Sequence, residues 1–88
     1  MEISFEKPVG RFDVRPQIVA DDLYLVHGHD AFQLGEIEAR IWSLCDGDHS
    51  VDDIAQMIST EYEVGLEVAK NDASEFIDSL RNSDLLDK

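Results

Sequence analysis

The residues most able to do chemistry are few: His27, His29 and His49, a single cysteine, Cys45, and the triplet Asp78-Ser79-Leu80. A His-x-His pair on a strand sets both rings on one face, as a metal would need. Here, however, His27 and His29 flank a turn, while Cys45 and His49 fall at a helix end and in a loop. No second cysteine or paired histidine spacing completes a ligand set. The histidines therefore read as surface residues, and no metal is expected. Cys45 lies on the apolar stripe of a helix, where a buried thiol packs like a small hydrophobe and reacts poorly. With one cysteine there is no internal disulfide.

Asp-Ser-Leu is also the attachment triplet of acyl carrier proteins, which are acidic and of this size. Their serine begins a helix in mid-chain, with more helices after it. Ser79 instead falls inside the last helix, and only residues 81–88 follow. The carrier reading is rejected. No glycine-rich phosphate loop, Ser/His/Asp set or paired-carboxylate arrangement stands out either. The chain is expected to have no catalytic residue, no cofactor and no enzymatic activity of its own.

The elements that position these residues change character near residue 35. Gln17–Ala20, Leu23–His27 and Ala31–Leu34 are short runs of strand formers. Asp21-Asp22 and His27-Gly28-His29-Asp30 separate them as turns, Gly28 being free to take a positive φ. Two tight turns predict a three-stranded antiparallel meander. A helix follows Gly35, with Glu36 and Glu38 in its first turn and Ile37, Ile41, Leu44 and Cys45 on one stripe. Gly47 is its expected left-handed stop. Trp42 reads as a core-edge residue. A second helix opens on the capping box Ser50-Val51-Asp52-Asp53 and carries Ile54, Ala55, Ile58 and Tyr62. Gly65 interrupts the chain. A third helix buries Ala69, Ala73, Phe76, Ile77 and Leu80, and Leu85-Leu86 folds back as an apolar tail. Strands followed by helices predict an α+β fold, a winged helix-turn-helix-like unit over residues 12–88. Residues 1–11, with Pro8 and Gly10, read as an irregular and mobile arm. The alternation of Ile3 and Phe5 leaves a docked strand as the competing outcome.

Charge narrows the partners. The 88 residues carry 20 acids against 7 lysines and arginines, a net charge of −13. That field repels phosphate backbones and anionic lipid heads, so neither nucleic acid nor membrane is an expected partner. The third helix, the would-be recognition helix, is itself net acidic, with Glu67, Asp72, Glu75 and Asp78 against Lys70 and Arg81. No apolar run is long enough to span a bilayer, and the start lacks the pattern of a signal peptide. A cytoplasmic location is the default expectation.

One pattern ties these elements together. Ala39-Arg40-Ile41-Trp42-Ser43-Leu44-Cys45-Asp46-Gly47, then Ser50-Val51-Asp52-Asp53-Ile54-Ala55, then Asp72-Ala73-Ser74-Glu75-Phe76-Ile77-Asp78-Ser79-Leu80 to Leu85-Leu86, resemble the PqqD family over about residues 12–86. These are the recognition elements of ribosomally made, post-translationally modified peptides. The resemblance implies a domain that captures the leader segment of a precursor peptide. The leader would add to the third strand of the sheet and lie beside the third helix. It would then be presented to a radical S-adenosylmethionine enzyme, or to a leader peptidase and cyclase in lasso-peptide pathways. Gly35 departs from the family's usual Asn or Ser cap, and caps nearly as well.

On this reading the peptide site comprises Ala31, Phe32, Gln33 and Leu34 on the strand, with Phe32 and Leu34 mostly inward. From the third helix it takes Val68, Asp72 and Glu75 on the flank, with Phe76 beside them. Val68 is expected to form an apolar pocket, with the acids above it pairing with basic leader residues. The acids are otherwise ordinary solvated helix residues. The rival function is an acidic winged-helix regulator that binds protein or DNA.

Overall fold

The structure, a computed structural model, describes residues 7–87. Its elements run β1 (Val9–Gly10), β2 (Arg15–Val19), β3 (Asp22–His27), β4 (Asp30–Leu34), α1 (Glu36–Leu44), α2 (Val51–Tyr62), α3 (Leu66–Asn82) and β5 (Leu86–Asp87). The expected meander and three helices are present: β2, β3 and β4 form an antiparallel sheet in that order.

Register follows from which face must be buried. Leu25 pairs with Phe32 and Leu23 with Leu34, which puts these four side chains on the face turned to the helices. Leu25 is wholly buried there. The first strand begins at Arg15, earlier than expected, and runs through Pro16. It ends at Val19, because Ala20 and Asp21 take positive φ of 52° and 70° and make the two-residue turn themselves.

The helices start where the sequence signals them. Ser50 Oγ accepts from the Asp53 N–H at 3.1 Å, and Asp53 Oδ2 accepts from the Ser50 N–H at 3.1 Å, closing the capping box of α2. Glu38 Oε1 accepts from the Gly35 N–H at 2.8 Å at the start of α1. Glu63, in the left-handed region, ends α2, while Gly65 is the N-cap of α3. Leu25, Ile41, Ile54, Ile58, Ile77 and Leu85 form the driest part of the core. The tail folds back as expected.

The arm differs from expectation at its C-terminal end. Ile3 and Phe5 lie outside the described residues. Val9 and Gly10, however, pair with Asp87 and Leu86 as a two-stranded ribbon. The Gly10 N–H donates to Cys45 O at 3.0 Å, Gly47 N–H to Pro8 O at 3.1 Å, and Arg11 N–H to Leu85 O at 3.0 Å. Three backbone bonds thus tie Pro8–Arg11 to the end of α1 and to the tail, a juxtaposition that no local pattern encodes.

Cys45 is buried, with its Sγ 3.3 Å from the Ile41 carbonyl. Burial, with a contribution from Asp46, pushes its thiol up to about 12. Alkylation by a small thiol reagent at pH 8 is therefore expected to run on the order of a thousandfold slower in the native protein than in the unfolded chain. Comparable rates in both states would show the site to be open.

Two carboxylates brace the loops. Burial opposes ionisation of Asp13, but hydrogen bonds from Arg11 and His27 and the charge of Arg11 outweigh it and hold the carboxyl below its ordinary value of 3.8. Asp46 is also held below 3.8, first by the Asp48 N–H and then by His49. A carboxylate more acidic in the folded state stabilises it at pH above the unfolded value, and that contribution disappears as pH falls through the folded value. The melting temperature is expected to fall on acidification below about pH 4, and less steeply in an Asp13→Asn/Asp46→Asn variant. Parallel acid profiles for the variant and the parent would contradict this.

Candidate functional site

Among the described residues the sheet has two open edges, β2 and β4, and they are not equivalent. In an antiparallel pair the residues alternate between those bonded to the neighbour and those whose N–H and C=O point away. The two-residue turn at Gly28-His29 makes His27 and Asp30 a bonded pair, and with them Leu25–Phe32 and Leu23–Leu34. The backbone groups of Ala31 and Gln33 therefore point to the open edge of β4. On β2 the same count, starting from Val19–Asp22, turns Pro16 and Ile18 outward. Pro16 has no N–H, so the β2 edge lacks one of its two outward donors. Only β4 offers a complete template for another strand.

Alongside β4 runs a groove of about 510 Å³, between the strand, α1 and the C-terminal half of α3. Its buried lining is apolar: Ile41, Leu80 and Leu85, with half-buried Phe32, Ile37 and Phe76. Its exposed lining is polar: Gln33, Glu38, Asp72, Glu75, Ser79 and Ser83. Among the described residues, three carboxylates and no basic side chain line it. An extended segment laid here would pair its backbone with Ala31 and Gln33 and drop alternate side chains onto an apolar floor.

Of the residues expected at the site, Phe32, Gln33, Asp72, Glu75 and Phe76 line this groove. Ala31 borders it through its backbone. Leu34 points inward and is only 7% exposed, so its side chain belongs to the core. Val68 does not contribute the expected pocket. It sits at the start of α3, 55% exposed, whereas the groove spans Asp72 to Ser83. The α1 wall, Ile37, Glu38 and Ile41, was hidden because its isoleucines also satisfy an ordinary core stripe. Ser83 and Leu85 enter because the tail turns back at Asp84, whose φ is +63°.

Other chemistry does not converge. His27 Nε2 lies 3.2 Å from Asp13 Oδ2 and His49 Nδ1 lies 3.0 Å from Asp46 Oδ1. Among the described residues no three histidine, cysteine, aspartate or glutamate side chains gather as a metal-ligand set. On α3 Lys70 lies 4.0 Å from Asp52 and Arg81 lies 3.2 Å from Asp78, so both bases of the would-be recognition helix face acids. No helix among the described residues is long and apolar enough to cross a membrane.

These features define a winged-helix-like domain with one complete sheet edge opening onto an apolar groove. The family model for coenzyme PQQ synthesis protein D (PqqD) matches residues 22–86, and the chain belongs to that family. No curated protein matches it in sequence. Among solved structures it is similar to TbiB1 in complex with the TbiA(β) leader peptide, at 27% identity and a TM-score of 0.77, covering 90% of this chain and 94% of that one. Lasso peptide synthetase B1 complexed with the leader peptide gives 24% identity and a TM-score of 0.81, covering 94% and 100%. The solution structure of the PqqD truncation of Methylobacterium extorquens PqqCD, a stand-alone recognition element, gives 20% and 0.78, covering 97% and 96%.

Proposed function

We propose that this protein captures the leader segment of a ribosomally synthesised precursor peptide as an added strand on β4. It then presents the peptide, in the cytoplasm, to a separate modifying enzyme and performs no chemistry itself. The observation that carries this reading is the open edge at Ala31 and Gln33 lying directly against the apolar groove. Membership of the PqqD family and the likeness to two leader-peptide complexes support it.

The test is a calorimetric titration with the leader peptide encoded beside this chain's gene, and in parallel with duplex DNA. Saturable leader binding without DNA binding is expected. DNA binding with a steep salt slope, and none to the leader, would overturn the proposal.

The acidic lining adds a directional expectation. Glu38 already holds the Gly35 N–H, so Asp72 and Glu75 are the acids best placed to meet basic leader side chains. Exposed pairs contribute modestly, so replacing both by Asn and Gln should weaken leader binding about 3- to 10-fold and flatten its salt dependence. Unchanged affinity and salt slope in a folded variant would show that these acids only solvate the helix.

A further inference from the structure

Phe12 is 98% exposed, more than any other large apolar side chain described. It stands at the tip of a β-turn closed by the Val14 N–H donating to Arg11 O at 3.1 Å. The turn is braced on every side. Arg11 holds both oxygens of Asp13 at 3.1 Å, and its Nη1 reaches Asp84 Oδ2 at 3.2 Å. His27 meets Asp13 Oδ2 at 3.2 Å, and the Arg11 N–H is bonded to Leu85 O. A floppy loop would let the ring fold back onto apolar surface. A braced turn holds it in water, where it adds nothing to the core.

A hollow of about 340 Å³ adjoins the ring, lined by Arg11, Phe12, Asp84, Leu86 and Asp87. Its other wall is the tail, whose residues alternate between two sites. Ser83 and Leu85 line the leader groove, and Asp84, Leu86 and Asp87 line this hollow. A body seated on Phe12 would therefore touch the same tail segment that lines the groove.

We infer that Phe12 is the anchor by which the peptide-modifying partner enzyme docks, entering an apolar socket rimmed by lysine or arginine. This rests on the leader-binding reading for the partner's identity. The basic rim follows from charge: Asp84 and Asp87 line the hollow beside the ring, and the protein as a whole carries a net charge of −13. A second copy of this chain fits poorly, because each copy carries a net charge of −13. Aromatic side chains held rigidly at a surface are typical interface anchors.

The experiment uses the purified full-length protein and the modifying enzyme or leader peptidase encoded beside its gene. Phe12→Ala and Phe12→Ser are expected to weaken enzyme binding at least tenfold in an anisotropy titration. Leader affinity should stay within twofold and the melting temperature should not change. Enzyme binding should also weaken as salt rises. Wild-type enzyme affinity in both variants would overturn the inference. So would sedimentation showing a parent dimer that Phe12→Ala dissociates, which would make a second copy the occupant. If the parent fails to bind leader, yet the Phe12 variants still lose the enzyme, the groove reading falls and the anchor stands.

Discussion

A Gln33→Pro variant is expected to lose leader affinity at least about tenfold while remaining folded. The expectation follows from the direction of one N–H. Gln33 faces Tyr24 at a non-bonded position, so its N–H points to the open edge and takes no part in the β3–β4 ladder. The protein already holds this arrangement once, at Pro16, which faces Leu25 at the equivalent position on β2. Proline at 33 therefore removes a donor offered to the leader and none used by the sheet. A companion variant, Ser79→Trp, acts from the opposite wall. Ser79 is exposed on α3 and lines the groove, so an indole there fills the space a leader side chain would occupy without entering the core. Both variants should keep the parent's circular dichroism and lose the calorimetric signal for leader. Parent-like affinity in folded Gln33→Pro would show that the leader does not pair with β4. Parent-like affinity in Ser79→Trp would place it outside the groove.

The second large effect concerns stability. A Cβ built on Gly10 would stand 2.5 Å from Trp42 Cη2, 2.8 Å from Cζ2 and 3.0 Å from Cζ3. The backbone of β1 is laid flat against the indole, and Gly10 is held there by its N–H to Cys45 O and its pairing with Leu86. Neither the rigid ring nor the doubly bonded strand can yield without breaking other contacts. Gly10→Ala should cost about 1–3 kcal/mol, which for a domain this small lowers the melting temperature by roughly 5–20 °C. Gly65→Ala is the control. A Cβ there meets nothing within 4 Å and the residue has an ordinary φ of −58°, so only the poorer capping of α3 by alanine should count, at no more than about 1 kcal/mol. Trp42→Phe, which shortens the ring, should recover part of the loss in the Gly10→Ala background. Equal melting temperatures for Gly10→Ala and Gly65→Ala would show that the β1 contact is not part of the stable fold.

Gly10 and Trp42 also mark where reading a single chain stops. Trp42 was legible as a core-edge residue from its place beside the helical stripe, and Gly10 only as a flexible spot in an arm. That they touch depends on residues far apart in the chain being brought together by the turn of the tail, which has no local signature. Val68 fails for a related reason. Its spacing with Asp72 and Glu75 puts the three on one flank of α3, but spacing carries no information on where along that flank β4 crosses. Pro16 is the reverse case. It precedes the expected first strand, yet it lies in β2 because its missing N–H faces outward.

By itself the sequence determined the elements and their order, because these rest on short-range physics. Apolar period, capping side chains and turn residues act within one or two turns of chain. The excess of acids likewise argued against phosphate partners before any coordinate was known. Register, the docking of β1 against β5 and the α1 wall of the groove were decided only by tertiary structure. Each is a choice among alternatives that leave local preferences equally satisfied, and burial of Leu25, Leu34 and Leu85 in one core selects among them. The open edge at Ala31 and Gln33 belongs to both: the strand was legible, but which of its backbone groups face the groove follows only from the turn at Gly28-His29 and the pairing it imposes.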